Sequence, residues 1–328
     1  MKLAHLYMQI SKNMKLFLVK SFVIFILILS LIGIVNTIFP HEEDGYYREY
    51  FDKIDKLKNE DREPSLILLG GSNVAFGFNT QTLEDSLNVP VINMGLHAGI
   101  GLNFIVDDCL RYLKPHDMLV LFPEYTHFYD NYAYGERVLS SLFLLRPFYV
   151  SKVLNYREFF QIIKCLPLSL NENISIWVHN HIHPEASPTE IFVYKKSAFN
   201  SYGDVIAHWV PWAKELPQDF VDENHLPTNK NMKLNKAYIE HLEIQLEKLR
   251  EKEISVIIIP PVLAKSQYVY NKKSIEHIYK YLQAKFDVIS CCPEDMAYDN
   301  SLFFGTVYHL NQKGAEKHTR HVISLLKK

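Results

Sequence analysis

The sequence predicts an α/β fold with a central parallel sheet covered by helices. Three observations predict it. Short runs dominated by apolar residues recur at Leu66 to Leu69, Asp117 to Phe122 and Ile254 to Ile259, the pattern of strands buried on both faces. Stretches with apolar residues at helical spacing separate them, so strand and helix alternate as in a parallel sheet. The strands end in glycine or proline, at Gly70-Gly71, Gly95, Pro123 and Pro260-Pro261, where the chain must turn.

The chain of 328 residues is long enough for one large α/β domain or two smaller ones. With 48% hydrophobic and 22% charged residues it can bury a sizeable core. A net charge of −2 and the lack of any long Lys/Arg block argue against a nucleic-acid partner. The 20 Tyr and 20 Phe suit a carbohydrate-facing surface and an ordinary core equally. Cys109, Cys165, Cys291 and Cys292 form no CxxC pair and no zinc-like spacing. Adjacent Cys291 and Cys292 have poor geometry for a mutual bridge, and Cys109 reads as a small buried apolar residue.

Taken in order, the N-terminus comes first. Ser21 to Phe39 holds 19 residues without a charge, about the length that spans a bilayer as a helix. Lys2, Lys12, Lys15 and Lys20 precede it and His41-Glu42-Glu43-Asp44 follow it. Residues 1–40 therefore read as a cytoplasmic N-terminus and retained single-pass anchor, with the rest of the chain extracytoplasmic. The run is longer than a signal-peptide core, and no small-x-small cleavage site follows it. Residues 41–63 are charged and read as a helical stalk, leading into a domain at 64–328.

In that domain Leu66 to Leu69 is the first strand and Leu83 to Leu87 a short helix. Val89 to Gly95 is the second strand, Asn103 to Leu113 a helix and Asp117 to Phe122 the third strand. Residues 126–232 break the rhythm. They are rich in aromatic residues and proline turns and read as an insertion, helical over part of Gly135 to Lys164. Asn235 to Lys252 is an amphipathic helix, Ile254 to Ile259 the fourth strand, Asn271 to Lys285 a helix and Phe286 to Ser290 a last strand. A loop and the C-terminal helix close the chain.

In open α/β sheets ligands bind beyond the C-terminal ends of the strands. Ser72, after Gly70-Gly71, stands there, placed as a nucleophile or as a helix cap. His309 lies in the run Tyr308-His309-Leu310-Asn311, in which Asn311 can cap the last helix. His179, His181 and His183 alternate, and on an extended chain would share a side. With only Glu185 nearby they read as a solvent-facing loop rather than a metal site. His208, beside Trp209, lines a sugar-binding cleft or packs.

Gly-Gly-Ser-Asn after the first strand, Asn93-Met94-Gly95 after the second and His309-Leu310-Asn311-x-x-Gly314 before the last helix resemble the SGNH (GDSL-type) hydrolase superfamily. The likeness is to its membrane-anchored branch, which includes acyl-transfer proteins of alginate and teichoic-acid modification. It covers residues 64–125 and 235–325, with a looser similarity at Phe199 to Asp204. It implies a flavodoxin-like three-layer fold with strand order 2-1-3-4-5. It also implies Ser72 as nucleophile, with His309 as its base and the Gly95 N–H as an oxyanion donor.

Two positions depart from the family pattern. Thr306 and Gly305 stand where the acid that orients the histidine is usual, and Phe122-Pro123-Glu124 stands where the third block supplies an Asn. Asp299 is a candidate replacement acid and Asn73 a candidate replacement donor. Glu124 could orient His309, position a sugar hydroxyl or sit in solvent. His97, His208 and Tyr308 are candidate substrate contacts.

The resemblance implies serine-dependent acyl-ester chemistry, as O-acyl transfer or O-deacylation, on a cell-surface or exported polysaccharide. The partners it implies are a glycan and a membrane-embedded acyl donor, and the mechanism needs no metal or organic cofactor. The missing acid and Asn motivate a second reading, a catalytically silent glycan-binding or assembly subunit of a polysaccharide export or modification complex.

Overall fold

A computed structural model describes residues 2–182, 193–223, 232–286 and 291–327; the side chains of residues 2–13, 25, 28, 29 and 180 lie outside that description. In chain order the elements are α1 (Lys2–Ile38), α2 (Glu49–Lys58), β1 (Leu66–Gly70), α3 (Ser72–Ala75), α4 (Thr80–Leu87), β2 (Val91–Asn93), α5 (Leu102–Leu110) and β3 (Met118–Phe122). There follow α6 (Arg137–Leu145), α7 (Pro147–Val150), α8 (Tyr156–Ile182), α9 (Lys236–Glu251), β4 (Ser255–Ile258), β5 (Leu263–Ala264), α10 (Lys265–Gln283), β6 (Ala297–Tyr298) and α11 (Gln312–Leu326). Two units are resolved, residues 1–42 with 170–184 and residues 43–169 with 185–328.

In the first unit α1 is a single helix. Its end meets the C-terminal part of α8: Asn173 Nδ2 donates to the Phe39 carbonyl at 2.7 Å, and Trp177 packs edge-on against Phe39. Among the described residues no helix is long and apolar enough to cross a membrane. Phe25, Ile28 and Leu29, central to the expected anchor, have side chains outside the description.

The second unit is mixed α/β, built on a parallel sheet of four strands in the order β2-β1-β3-β4. This reproduces the first four places of the expected order. Gly70 pairs with Phe122 and Leu121 with Ile258, so β1, β3 and β4 end along a common edge. Right-handed crossovers put α4, which connects β1 to β2, on one face, and α5 and α9, which connect rightward, on the other. α11 joins α4, and α5 packs on α9. Asn79, Asn235 and Asn311 cap α4, α9 and α11 with their side chains. The expected fifth strand, Phe286 to Ser290, falls on residues of which 287–290 are outside the described ones. A separate parallel pair, β5 with β6, lies elsewhere in the unit.

Residues 41–63 are not a stalk. α2 turns Tyr50, Phe51, Ile54 and Leu57 into the core, each 2% exposed or less. Of the charges that suggested a stalk, Asp55 and Lys56 are exposed and Asp52 and Lys58 half-buried, whereas Glu49 and Lys53 are buried with the apolar face. Within the insertion, α6 and α7 precede a long α8. His179 and His181 lie in the last turn of that helix rather than on an extended chain, and His181 stacks on Trp177. His183 is outside the described residues. All four cysteines are free thiols.

Candidate functional site at the sheet edge

Ser72 opens α3 directly after β1, half-buried, at the C-terminal edge of the sheet. Two glycines let other groups approach it. A Cβ on Gly71 would lie 2.5 Å from Glu124 Oε1 and 2.9 Å from the Ala98 nitrogen. A Cβ on Gly95 would lie 2.5 Å from the Ala75 nitrogen. The loops after β1, β2 and β3 therefore meet at Ser72, where the strand order reverses. Among the described residues no hydrogen bond takes up the backbone N–H of Ser72 or of Asn73.

The two other expected donors are engaged. The Gly95 N–H donates to Asn93 Oδ1 at 2.8 Å. Asn73 accepts the Gly71 N–H on Oδ1 and donates through Nδ2 to the Phe122 carbonyl at 3.1 Å, tying the β1 turn to the end of β3. Asn73 is thus a brace for the turn.

His309 comes from the segment before α11. Its ring stacks on Phe76, centroids 3.9 Å apart and planes 6° from parallel. Phe76 is held to Ser72 by its own N–H, which donates to the Ser72 carbonyl at 2.9 Å. Thr306, at a position where an acid was expected from the resemblance, shapes the loop: its hydroxyl accepts the N–H of Tyr308 and of His309. Glu124 is not solvated. It is 1% exposed, with one carboxylate oxygen against Gly71 and its charge felt by Tyr308. Burial first and Glu124 second push the Tyr308 hydroxyl well above its ordinary value. A buried carboxylate thus adjoins the neighbour of Ser72 on one side and the neighbour of His309 on the other. A charge is kept in such a place only against strong compensation.

No protein-family model matches the chain, and no curated protein matches it.

The remaining candidates separate clearly. Asp299 is exposed and caps the turn after β6, accepting from Ser301 and Gln218, which hold its carboxyl down to about 2. It serves that turn. His97 caps another turn by accepting the Gly99 N–H on Nδ1. His208 is buried beside Phe76 and bonds the Leu310 carbonyl through Nε2 at 2.8 Å, with burial pushing its pKa down. The ring that stacks beneath His309 therefore also touches His208. His208 and Trp209 line a cleft of about 200 Å³ with Asn311 and Lys313.

A buried network behind Gly95 escaped the sequence reading. Lys53 Nζ donates to the carbonyls of Gly95 and Gly203, both at 2.6 Å. Asp204 accepts from the Thr80 N–H at 2.9 Å, the Thr80 hydroxyl, Asn93 Nδ2 at 2.8 Å and Asn200 Nδ2. The network holds the Gly95 loop on both its carbonyl side, through Lys53, and its N–H side, through Asn93. A lysine in a charged-looking helix carries no signal of this. The polar run Asn200 to Asp204 was the one visible hint.

Proposed function

We propose that the protein performs serine-dependent acyl-ester chemistry, with Ser72 as nucleophile, His309 as base and Glu124 as the acid that orients or charges the histidine side of the site. The observation that carries the reading is the convergence at one sheet edge of Ser72, the His309 loop and a buried Glu124. A serine hydroxyl is a weak nucleophile until a base takes its proton. The acyl carbonyl oxygen would be received by the unengaged N–H groups of Ser72 and Asn73; such a donor contributes about 3 kcal/mol of transition-state stabilisation. The acyl-serine then passes to a sugar hydroxyl or to water. Glu124 fills the role of the family's missing acid from a different strand.

The resemblance to the SGNH superfamily supports the choice of an O-acylated, exported or cell-surface glycan as substrate. The uncharged run Ser21 to Phe39, with lysines before it and acids after it, supports a membrane anchor with the catalytic unit outside. Turnover of p-nitrophenyl acetate by the purified full chain tests the reading. Ser72→Ala should fall to the uncatalysed background, and equal activity in that variant contradicts it.

A second reading has its own observation. The Gly95 N–H and the Asn73 side chain are both spent within the protein, as in a site that binds a glycan without acylating itself. Under that reading the wild type shows no turnover, while Ser72→Ala leaves binding of acetylated oligosaccharides unchanged.

A further inference from the structure

Helix α8 is turned inside out for a water-soluble helix. Over Tyr156 to Ser169 its inward face carries Glu158, Ile162 and Ser169, all 2% exposed or less. Its outward face carries Tyr156, Phe159, Phe160 and Ile163, the i, i+3, i+4, i+7 stripe, each between 44% and 66% exposed. Leu168 on α8 and Phe148 on α7 are also exposed. A contiguous apolar stripe of this kind marks a contact surface.

We infer that this face of α8 lies in the interface of a lipid bilayer containing anionic lipid. The charges around it choose the occupant. Arg157 and Lys164 border one side of the stripe and Lys152 precedes it, while Glu158, the one carboxylate between Tyr156 and Ser169, is turned inward; Asp130 and Glu136 share a pocket with Lys164. A basic border along an apolar stripe is the pattern of an interfacial helix. A second copy docked on the same face would bring two identical basic borders together, whereas anionic headgroups complement them. The stripe and its basic border stand independently of the proposed anchor.

The test uses the full chain in vesicles of phosphatidylcholine and phosphatidylglycerol, with Cys165, Cys291 and Cys292 replaced by serine. Nitroxides are placed singly by Phe160→Cys and Ile163→Cys on α8, Leu27→Cys on α1 and Val269→Cys on the exposed face of α10. Collision with oxygen and with a water-soluble nickel chelate reports the surroundings of each label. The α8 labels should show a several-fold loss of nickel collisions relative to Val269→Cys, with oxygen access retained. Nickel collisions equal to those at Val269→Cys overturn the inference, as does loss of access to both reagents, which marks a protein partner. The Leu27→Cys label separates the two readings: in lipid there with α8 in water, the anchor stands and this inference fails; in water there with α8 in lipid, the reverse holds.

Discussion

At the residue scale the site depends on absent side chains as much as on present ones. Gly71→Ala forces a methyl group onto Glu124 and the backbone of Ala98, which cannot both move. We expect a loss of about 1–3 kcal/mol in thermal unfolding, typical of overpacking, together with loss of esterase activity. Glu124→Gln keeps the shape and removes the charge. It should lower turnover by about 10²- to 10⁴-fold while unfolding stays close to wild type; an unchanged rate removes Glu124 from the mechanism. Lys53 makes a separate prediction. Burial pushes its ammonium from 10.5 down to about 8, against the opposing attraction of Glu49 and Asp204. Between those pH values the unfolded chain holds a proton that the folded chain has lost, so Lys53 adds stability as pH rises, about 3 kcal/mol over the whole interval, and that contribution is absent below pH 8. The neutral amine still has two N–H groups for the Gly95 and Gly203 carbonyls. Lys53→Met should flatten the rise in unfolding free energy measured from pH 8 to 10. An unaltered slope contradicts the assignment.

At the scale of elements, what the sequence made legible was what local composition controls. The apolar runs at Leu66, Met118 and Ser255 became β1, β3 and β4 because a strand buried on both faces admits little else. Asn311 was visible as a cap. α2 reads as a stalk because its one glutamate, two aspartates and three lysines outnumber Tyr50, Phe51, Ile54 and Leu57, although those four recur at helical spacing. Solvent was one expected place for Glu124 because a charge after a strand is normally solvated; its oxygen instead lies against Gly71, and its charge is felt by Tyr308, nearly two hundred residues away in sequence. α8 carries a prediction of its own. Asn155 Oδ1 accepts the N–H of Arg157 and Glu158, and Glu158 Oε2 accepts the N–H of Asn155, a reciprocal cap. Burial raises Glu158 from 4.5 to about 7. Its neutral form is favoured in the folded state, so the stability it contributes is full below pH 4.5 and is lost as pH rises through 7, about 3 kcal/mol in all. Glu158→Gln should remove that pH dependence from the melting temperature measured between pH 4.5 and 7.

At the scale of the whole molecule, the α/β unit begins before its first strand. Four large apolar side chains of α2, at about 1.5–3 kcal/mol each, contribute about 6–12 kcal/mol of burial, comparable with the entire stability of a typical domain. A chain starting at Pro64 should therefore fail to give a cooperative unfolding transition by circular dichroism, while one starting at Glu43 should retain it. Strand order was legible only through the resemblance, which implies 2-1-3-4-5; the observed β2-β1-β3-β4 matches its first four places. The network joining Lys53, Asn93, Thr80 and Asp204 was not legible, because it gathers single polar residues from four separate segments, and no spacing in one dimension encodes such a meeting.

The central claim is that Ser72 is an activated nucleophile. Treating the folded full chain with a fluorophosphonate and mapping the adduct by peptide mass spectrometry tests it most directly. The site described here predicts one adduct, on Ser72, formed in the wild type, slowed strongly in His309→Ala and absent in Ser72→Ala. A folded wild-type protein that stays unmodified, or one labelled equally in all three forms, would contradict it.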